Sequence, residues 1–109
     1  MAMGDMSKCV ALSAMLATLP GVALAQIAKR RAAELEHMVI QDCGSCHGLT
    51  MKGGLGSPLT PETLEGSEPD ALALIILDGV PGTAMPPWRP LLNEAEALWI
   101  ADYLLKVKK

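Results

Sequence analysis

Phenylalanine is absent from this chain, and its aromatic residues come to one Tyr and two Trp. Apolar character rests instead on Ala, Leu, Val, Ile and Met. A small domain without large rings rarely buries enough surface to hold itself together and usually needs a staple. There is no basic stripe either: the net charge is −3. Lys29, Arg30, Arg31, Lys106, Lys108 and Lys109 sit at the two ends of the region from Lys29 onward, as plain solvated ends do. Nucleic acid is therefore excluded as a partner class. Strand-like alternation, internal repeats and low-complexity segments are also missing, which leaves a helical chain. No apolar run reaches the roughly 20 residues that a membrane span requires.

Cysteine is scarce, at three residues, and one of them belongs to a leader. Lys8 precedes an apolar run from Cys9 to Leu19, Pro20-Gly21 breaks it, and Ala23-Leu24-Ala25 supplies the small residues of a cleavage site. Residues 1–25 are thus expected to be a cleaved export signal, with Cys9 leaving with it, and residues 26–109 a single domain in the periplasm with no membrane span after cleavage.

The other two cysteines stand in Cys43-Gly44-Ser45-Cys46-His47. C-x-x-C-H is the attachment signature of a c-type haem. Two thiols three positions apart on a helical end can each reach a vinyl group of one porphyrin, while the next residue turns its imidazole to the iron. Zinc competes poorly, because it needs four ligands and the chain offers only these three and His37 besides Cys9. A thiol redox pair competes poorly too, because no βαβ pattern surrounds the motif. One covalent haem c, held by Cys43 and Cys46 with His47 on the iron, would also be the staple that the Phe-free core lacks.

Ala28 to about Gln41 has a helical pattern, with Ala32, Leu35 and Val39 recurring at three- and four-residue intervals, and is expected to stop where Gly44 and Gly48 interrupt it. Gly53, Gly54, Gly56 and Pro58 make a loop. Thr60-Pro61 reads as the start of a short helix closed by Gly66, and Ser67-Glu68-Pro69-Asp70 as the start of another over Ala71 to Leu77. Four prolines between Val80 and Pro90 demand an extended loop. Asn93 then caps a last helix, with Glu96 placed to complete a capping box. Its inner face is expected to carry Leu98 or Trp99, Ile100, Tyr103 and Leu104. The fold class is all-α, about four helices around one cofactor.

The proline-rich loop holds Met85, followed by Pro86-Pro87-Trp88. A thioether opposite the histidine gives His/Met ligation, which raises the reduction potential of an electron-transfer haem. Two prolines fix φ after the Met, so the loop can hold the sulfur with little rearrangement between oxidation states. Met85 is the expected second iron ligand. Met51 is expected on the same side of the haem as His47, Met38 in the first helix, and His37 on its surface. The second ring nitrogen of His47 needs an acceptor, for which a carbonyl in Gly56-Ser57-Pro58-Leu59 is the natural candidate. Trp88 and Arg89 have donors suited to a haem propionate, with a packed aromatic and a solvated charge as the plain alternatives.

These segments together resemble a monohaem class I cytochrome c. More narrowly, Gln41 to Gly48, Lys52-Gly53-Gly54-Leu55-Gly56, Leu59-Thr60-Pro61-Glu62 and Gly82 to Trp88 are similar to the small cytochromes encoded beside the haem-type dissimilatory nitrite reductase of denitrifying bacteria. The resemblance implies that the first and last helices cross, that a haem edge stays partly exposed, and that a turn carbonyl meets the proximal histidine. It departs from the class in carrying Leu35 and Val39 where a glycine and an aromatic are usual, and in placing proline at Pro58 rather than directly after Gly56, so that Ser57 or Pro58 presents the carbonyl. The implied function is an electron carrier, not an enzyme, that donates electrons to nitrite reductase in denitrification. The alternatives are an acceptor role in maturation of that enzyme's special haem and, in a different class, an open-site haem sensor or peroxidase-like enzyme.

Overall fold

The computed structural model describes residues 27–107, so the expected export signal and Cys9 lie outside the described residues. Helix α1, Lys29–Met38, runs directly into a π-helical turn, Val39–Cys43, and then into the short helix α2, Gly44–His47. The helix therefore overruns its expected end near Gln41. Gly44 does not interrupt it; this residue keeps helical angles (φ −62, ψ −25), and a Cβ there would lie 3.3 Å from the Cα of Leu49. Glycine at this position serves close packing, and the chain leaves the helix only at Gly48.

The π turn decides which way the motif faces. In an unbroken α-helix Leu35, Val39, Cys43 and His47 recur at four-residue intervals and would share one stripe. Here the Gly44 N–H reaches back five residues to the Val39 carbonyl. One extra residue turns the following stretch by about 100°. Leu35, Val39 and Gly44 are buried, whereas Cys43, Cys46 and His47 line a cavity that opens beside the core.

Helix α3, Pro69–Asp78, carries Pro69 in its first turn, where the missing N–H costs nothing. Helix α4, Glu94–Lys106, begins with the expected capping box: the Glu96 N–H donates to Asn93 Oδ1 at 2.8 Å and the Asn93 N–H to Glu96 Oε1 at 3.0 Å. The expected helix after Thr60 is instead a run of turns through residue 66. It keeps one helical bond, from the Leu64 N–H to the Thr60 carbonyl at 3.0 Å. Between Pro61 and Gly66 there are too few residues to offset the cost of helix nucleation.

Helix α3 packs along α4, and α1 meets α4 as the resemblance implied. Ile100 and Leu104 are buried as expected, but Ala97 and Ala101 complete the inner face of α4, both with no exposed surface. Bulk stands at Leu35 on α1 and at Val39 in the π turn that follows it, and smallness on α4. Leu98, Trp99 and Tyr103 are only half-buried at its flanks, with the two rings stacked 5.3 Å apart. Polar side chains tie the same two helices. Arg31 Nε donates to Glu96 Oε2, and the Tyr103 hydroxyl donates to Glu36 Oε1 at 3.3 Å. The Arg31 bond, aided by the Asn93 N–H and opposed by burial, holds the Glu96 carboxyl below its ordinary range. One carboxylate thus closes the cap and joins the terminal helices. No helix among the described residues is long and apolar enough to cross a membrane.

Candidate haem site

Cys43, Cys46, His47 and Met85 all line one cavity of about 640 Å³, within the usual range for cofactor sites. Leu59, Leu64, Leu72, Ile76, Ile100 and Leu104 supply apolar walls, and Asp42 is the only charged residue among the described residues that line it. A large flat apolar group fits such a lining, and a hydrated ion does not. Each segment of the cavity has its own support, which the backbone hydrogen bonds reveal.

A short helix leaves its last carbonyls without partners. In α2 the glycine-rich loop supplies them: the Gly53 N–H donates to the His47 carbonyl at 2.8 Å, and the Gly56 N–H to the Cys46 carbonyl at 2.7 Å. The loop is thereby drawn against the histidine ring. His47 Nδ1 lies 2.6 Å from the Ser57 carbonyl oxygen, so Ser57 rather than Pro58 is the acceptor. A carbonyl can only accept, which places the ring proton on Nδ1 and leaves the lone pair on Nε2. This is the tautomer that a metal ligand requires. Gly56 permits the approach: a Cβ there would sit 2.7 Å from both Cε1 and Nδ1 of His47. The sequence shows the glycine but not the ring pressed on it.

The two thiols are not alike. Cys46 is exposed, while Cys43 is half-buried, and burial followed by the nearby Asp42 charge pushes its thiol up to about 11. The free Cys43 thiol is therefore mostly protonated at neutral pH, which makes it a slow partner in disulfide exchange. No group of three His, Cys, Asp or Glu side chains among the described residues is arranged to hold a metal ion.

Other expected roles are redistributed. Arg89 donates from Nη2 and Nε to Asp78 Oδ1, at 2.7 and 2.9 Å, so its guanidinium is engaged by a carboxylate of the protein itself. Trp88 lines the cavity. Met51 is absent from that lining; it is 3% exposed in the core, with φ +60, and its carbonyl accepts from the Leu59 N–H at 2.8 Å. It anchors the loop that carries Gly56 and Ser57. His37 is exposed on α1, and Met38 packs against the core.

Comparison with known proteins agrees with this geometry. The family described as cytochrome c oxidase, cbb3-type, subunit III matches residues 30–104. The chain belongs to the c-type cytochromes. It is 56% identical over 98 residues to cytochrome c55X of Paracoccus denitrificans (strain Pd 1222), covering 89% of this chain and 95% of that protein. Among solved structures it is similar to the c-type cytochrome NirC, with a TM-score of 0.72 and 49% identity over 73% of this chain and 94% of that one. A second similarity is to the dihydro-heme d1 dehydrogenase NirN in complex with DHE, with a TM-score of 0.62 and 34% identity over 67% of this chain but only 16% of that one. A c-type cytochrome of this kind is an electron carrier, and its family implies haem c as cofactor.

Proposed function

We propose that this chain is an exported, single-haem carrier that donates electrons to the haem-type dissimilatory nitrite reductase, with the haem joined covalently to Cys43 and Cys46 and its iron held between His47 Nε2 and the Met85 thioether. The observation that carries the ligand assignment is the His47–Ser57 hydrogen bond, which leaves Nε2 as the one basic ring atom in a cavity that Met85 also lines. Bound haem c supplies an iron that cycles between Fe(III) and Fe(II). The protein's own residues do the rest. Ser57 fixes the tautomer and orientation of His47 and raises its basicity. The apolar walls exclude water, and the half-buried Met85 supplies a soft neutral ligand that raises the potential.

The relatives named cytochrome c55X and NirC support a place in denitrification, and the export signal expected over residues 1–25 would give a periplasmic one. Similarity to one portion of a dihydro-heme d1 dehydrogenase supports a second reading, in which this carrier accepts electrons during maturation of the reductase's special haem. An open-site sensor or peroxidase-like enzyme is disfavoured, because Met85 lies at the cavity.

Stopped-flow mixing separates the two carrier roles. Reduced cytochrome is expected to be reoxidised by oxidised nitrite reductase at a rate that varies with ionic strength, through a complex too weak to isolate. Reoxidation no faster than the enzyme-free control, together with rapid reduction of the oxidised cytochrome by a dihydro-heme d1 dehydrogenase turning over, would reverse the assignment.

A further inference from the structure

We propose that Gly79 is a positioning residue for Met85, and that the end of helix α3 is the seat on which the ligand loop is built; this rests on the reading of Met85 as the second axial ligand. Helix α3 stops at Gly79, whose φ is +67 and whose N–H donates to the Ile75 carbonyl at 2.8 Å. The chain then loops out and returns across the same helix end. Val80 N–H donates to the Met85 carbonyl at 3.2 Å, Trp88 N–H to the Ile76 carbonyl and Arg89 N–H to the Leu77 carbonyl, both at 3.1 Å. Inside the loop the Thr83 hydroxyl donates to the Val80 carbonyl at 2.7 Å and accepts from the Met85 N–H at 3.3 Å. The carbonyls left over by α3 are therefore the fixings of the loop.

Gly79 lies under the critical stretch. A Cβ at this position would come within 2.7 Å of the Met85 carbonyl oxygen, 2.8 Å of the Pro86 carbonyl carbon and 2.9 Å of the Pro87 nitrogen. All three are backbone atoms, so no side-chain rotation relieves the overlap. Pro86 and Pro87 have fixed φ and cannot absorb the displacement locally. It passes to the Cα of Met85 and hence to its sulfur. The Asp78–Arg89 pair closes the loop from outside, but both side chains are about half-exposed, and water screens such pairs. Gly79, not the ion pair, sets the sulfur's position.

The test compares holo variants Gly79→Ala, Gly79→Asn, Gly82→Ala and Asp78→Asn with wild type and with Met85→Ala. The readouts are the near-infrared sulfur-to-iron band, the reduction potential and the affinity for added imidazole. Gly79→Ala is expected to weaken the band, lower the potential and raise imidazole affinity about tenfold or more, the usual scale for disturbing the support of a metal ligand. Asparagine carries the same Cβ in a backbone region (φ +67, ψ −170) that is essentially glycine's alone, so it is expected to show the same spectral loss; Gly82→Ala, at φ +80 in the same loop with no atom within 4 Å of its Cβ, isolates backbone strain and is expected to leave all three readouts unchanged. Asp78→Asn is expected to leave all three readouts unchanged. Wild-type readouts in folded Gly79→Asn, with the band abolished by Met85→Ala, would overturn the role of Gly79 while sparing the ligand assignment. Retention of the band in Met85→Ala would overturn the ligand assignment itself, and this inference with it.

Discussion

Replacing Gly56 with alanine is the sharpest perturbation of the proximal side. The new Cβ would stand 2.7 Å from Cε1 and Nδ1 of His47, against an ordinary contact distance of about 3.5–4.0 Å. Ring and loop must separate by about 1 Å. The Nδ1 to Ser57 oxygen distance, 2.6 Å in the native protein, then approaches ~3.6 Å, beyond hydrogen-bond range. Loss of that bond costs about 0.5–1.5 kcal/mol, and the overpacking about 1–3 kcal/mol. A total of roughly 2–4 kcal/mol is a large share of the stability of a domain this size. The melting temperature of holo Gly56→Ala should therefore fall by about 8 °C or more, judging from about 4–8 °C per kcal/mol in domains of 60–100 residues. Its reduction potential should rise, because a less basic imidazole stabilises Fe(III) less. Gly66→Ala is the control: its φ is +83 but no atom lies within 4 Å of the Cβ position, so only the left-handed backbone cost of about 1–2 kcal/mol applies. A Gly56→Ala protein that melts no lower than Gly66→Ala and keeps the wild-type potential would refute the idea that Gly56 seats the histidine.

Three further outcomes are expected. Met85→Ala should retain covalent haem but lose the near-infrared band and drop in potential; an unchanged spectrum would show that another residue holds the iron. Cys43→Ala/Cys46→Ala should leave little folded protein, since the core contains no large ring and includes three alanines, and circular dichroism of a stable haem-free helical domain would contradict this. Glu96 has a folded pKa below its ordinary 4.5, so its contribution is present above that pH and lost as pH falls through the folded value. The stability difference between wild type and Glu96→Gln, about 1 kcal/mol at neutral pH, should therefore shrink below about pH 4.5, and a difference that persists unchanged to pH 3 would refute the assignment.

Local rules made the C-x-x-C-H motif, the Asn93–Glu96 capping box and the Met85 loop readable in the sequence, since each depends on residues close together in the chain. The proximal acceptor was narrowed only to Ser57 or Pro58, because the choice depends on how the loop is drawn onto the end of α2 by Gly53 and Gly56. Periodicity placed Ile100 and Leu104 inside but overlooked Ala97 and Ala101, small side chains that lie without exposed surface in the same core as Leu35 and Val39. Arg89 had a suitable donor set for a propionate, and only the return of the chain across α3 brings Asp78 within its reach. The π turn left no trace at all, since its residues have no composition that sets them apart from an ordinary helix.

That turn governs how this chain tolerates a change of length. Removing one of residues 40–42 would take out the extra residue of the turn and leave Gly44 four positions after Val39, its N–H still bonded to the same carbonyl in ordinary α-helix. Gly44 would keep its place on the stripe of Leu35 and Val39, and the thiols and the imidazole would keep facing the cavity. Straightening the turn at full length is the harmful change: it would put Cys43 on that stripe, four positions after Val39, and swing the motif by about 100°. A deletion that would misdirect a motif in an ordinary helix is thus one that this helix absorbs, whereas a chain that loses only the irregularity keeps its helicity and cannot be matured.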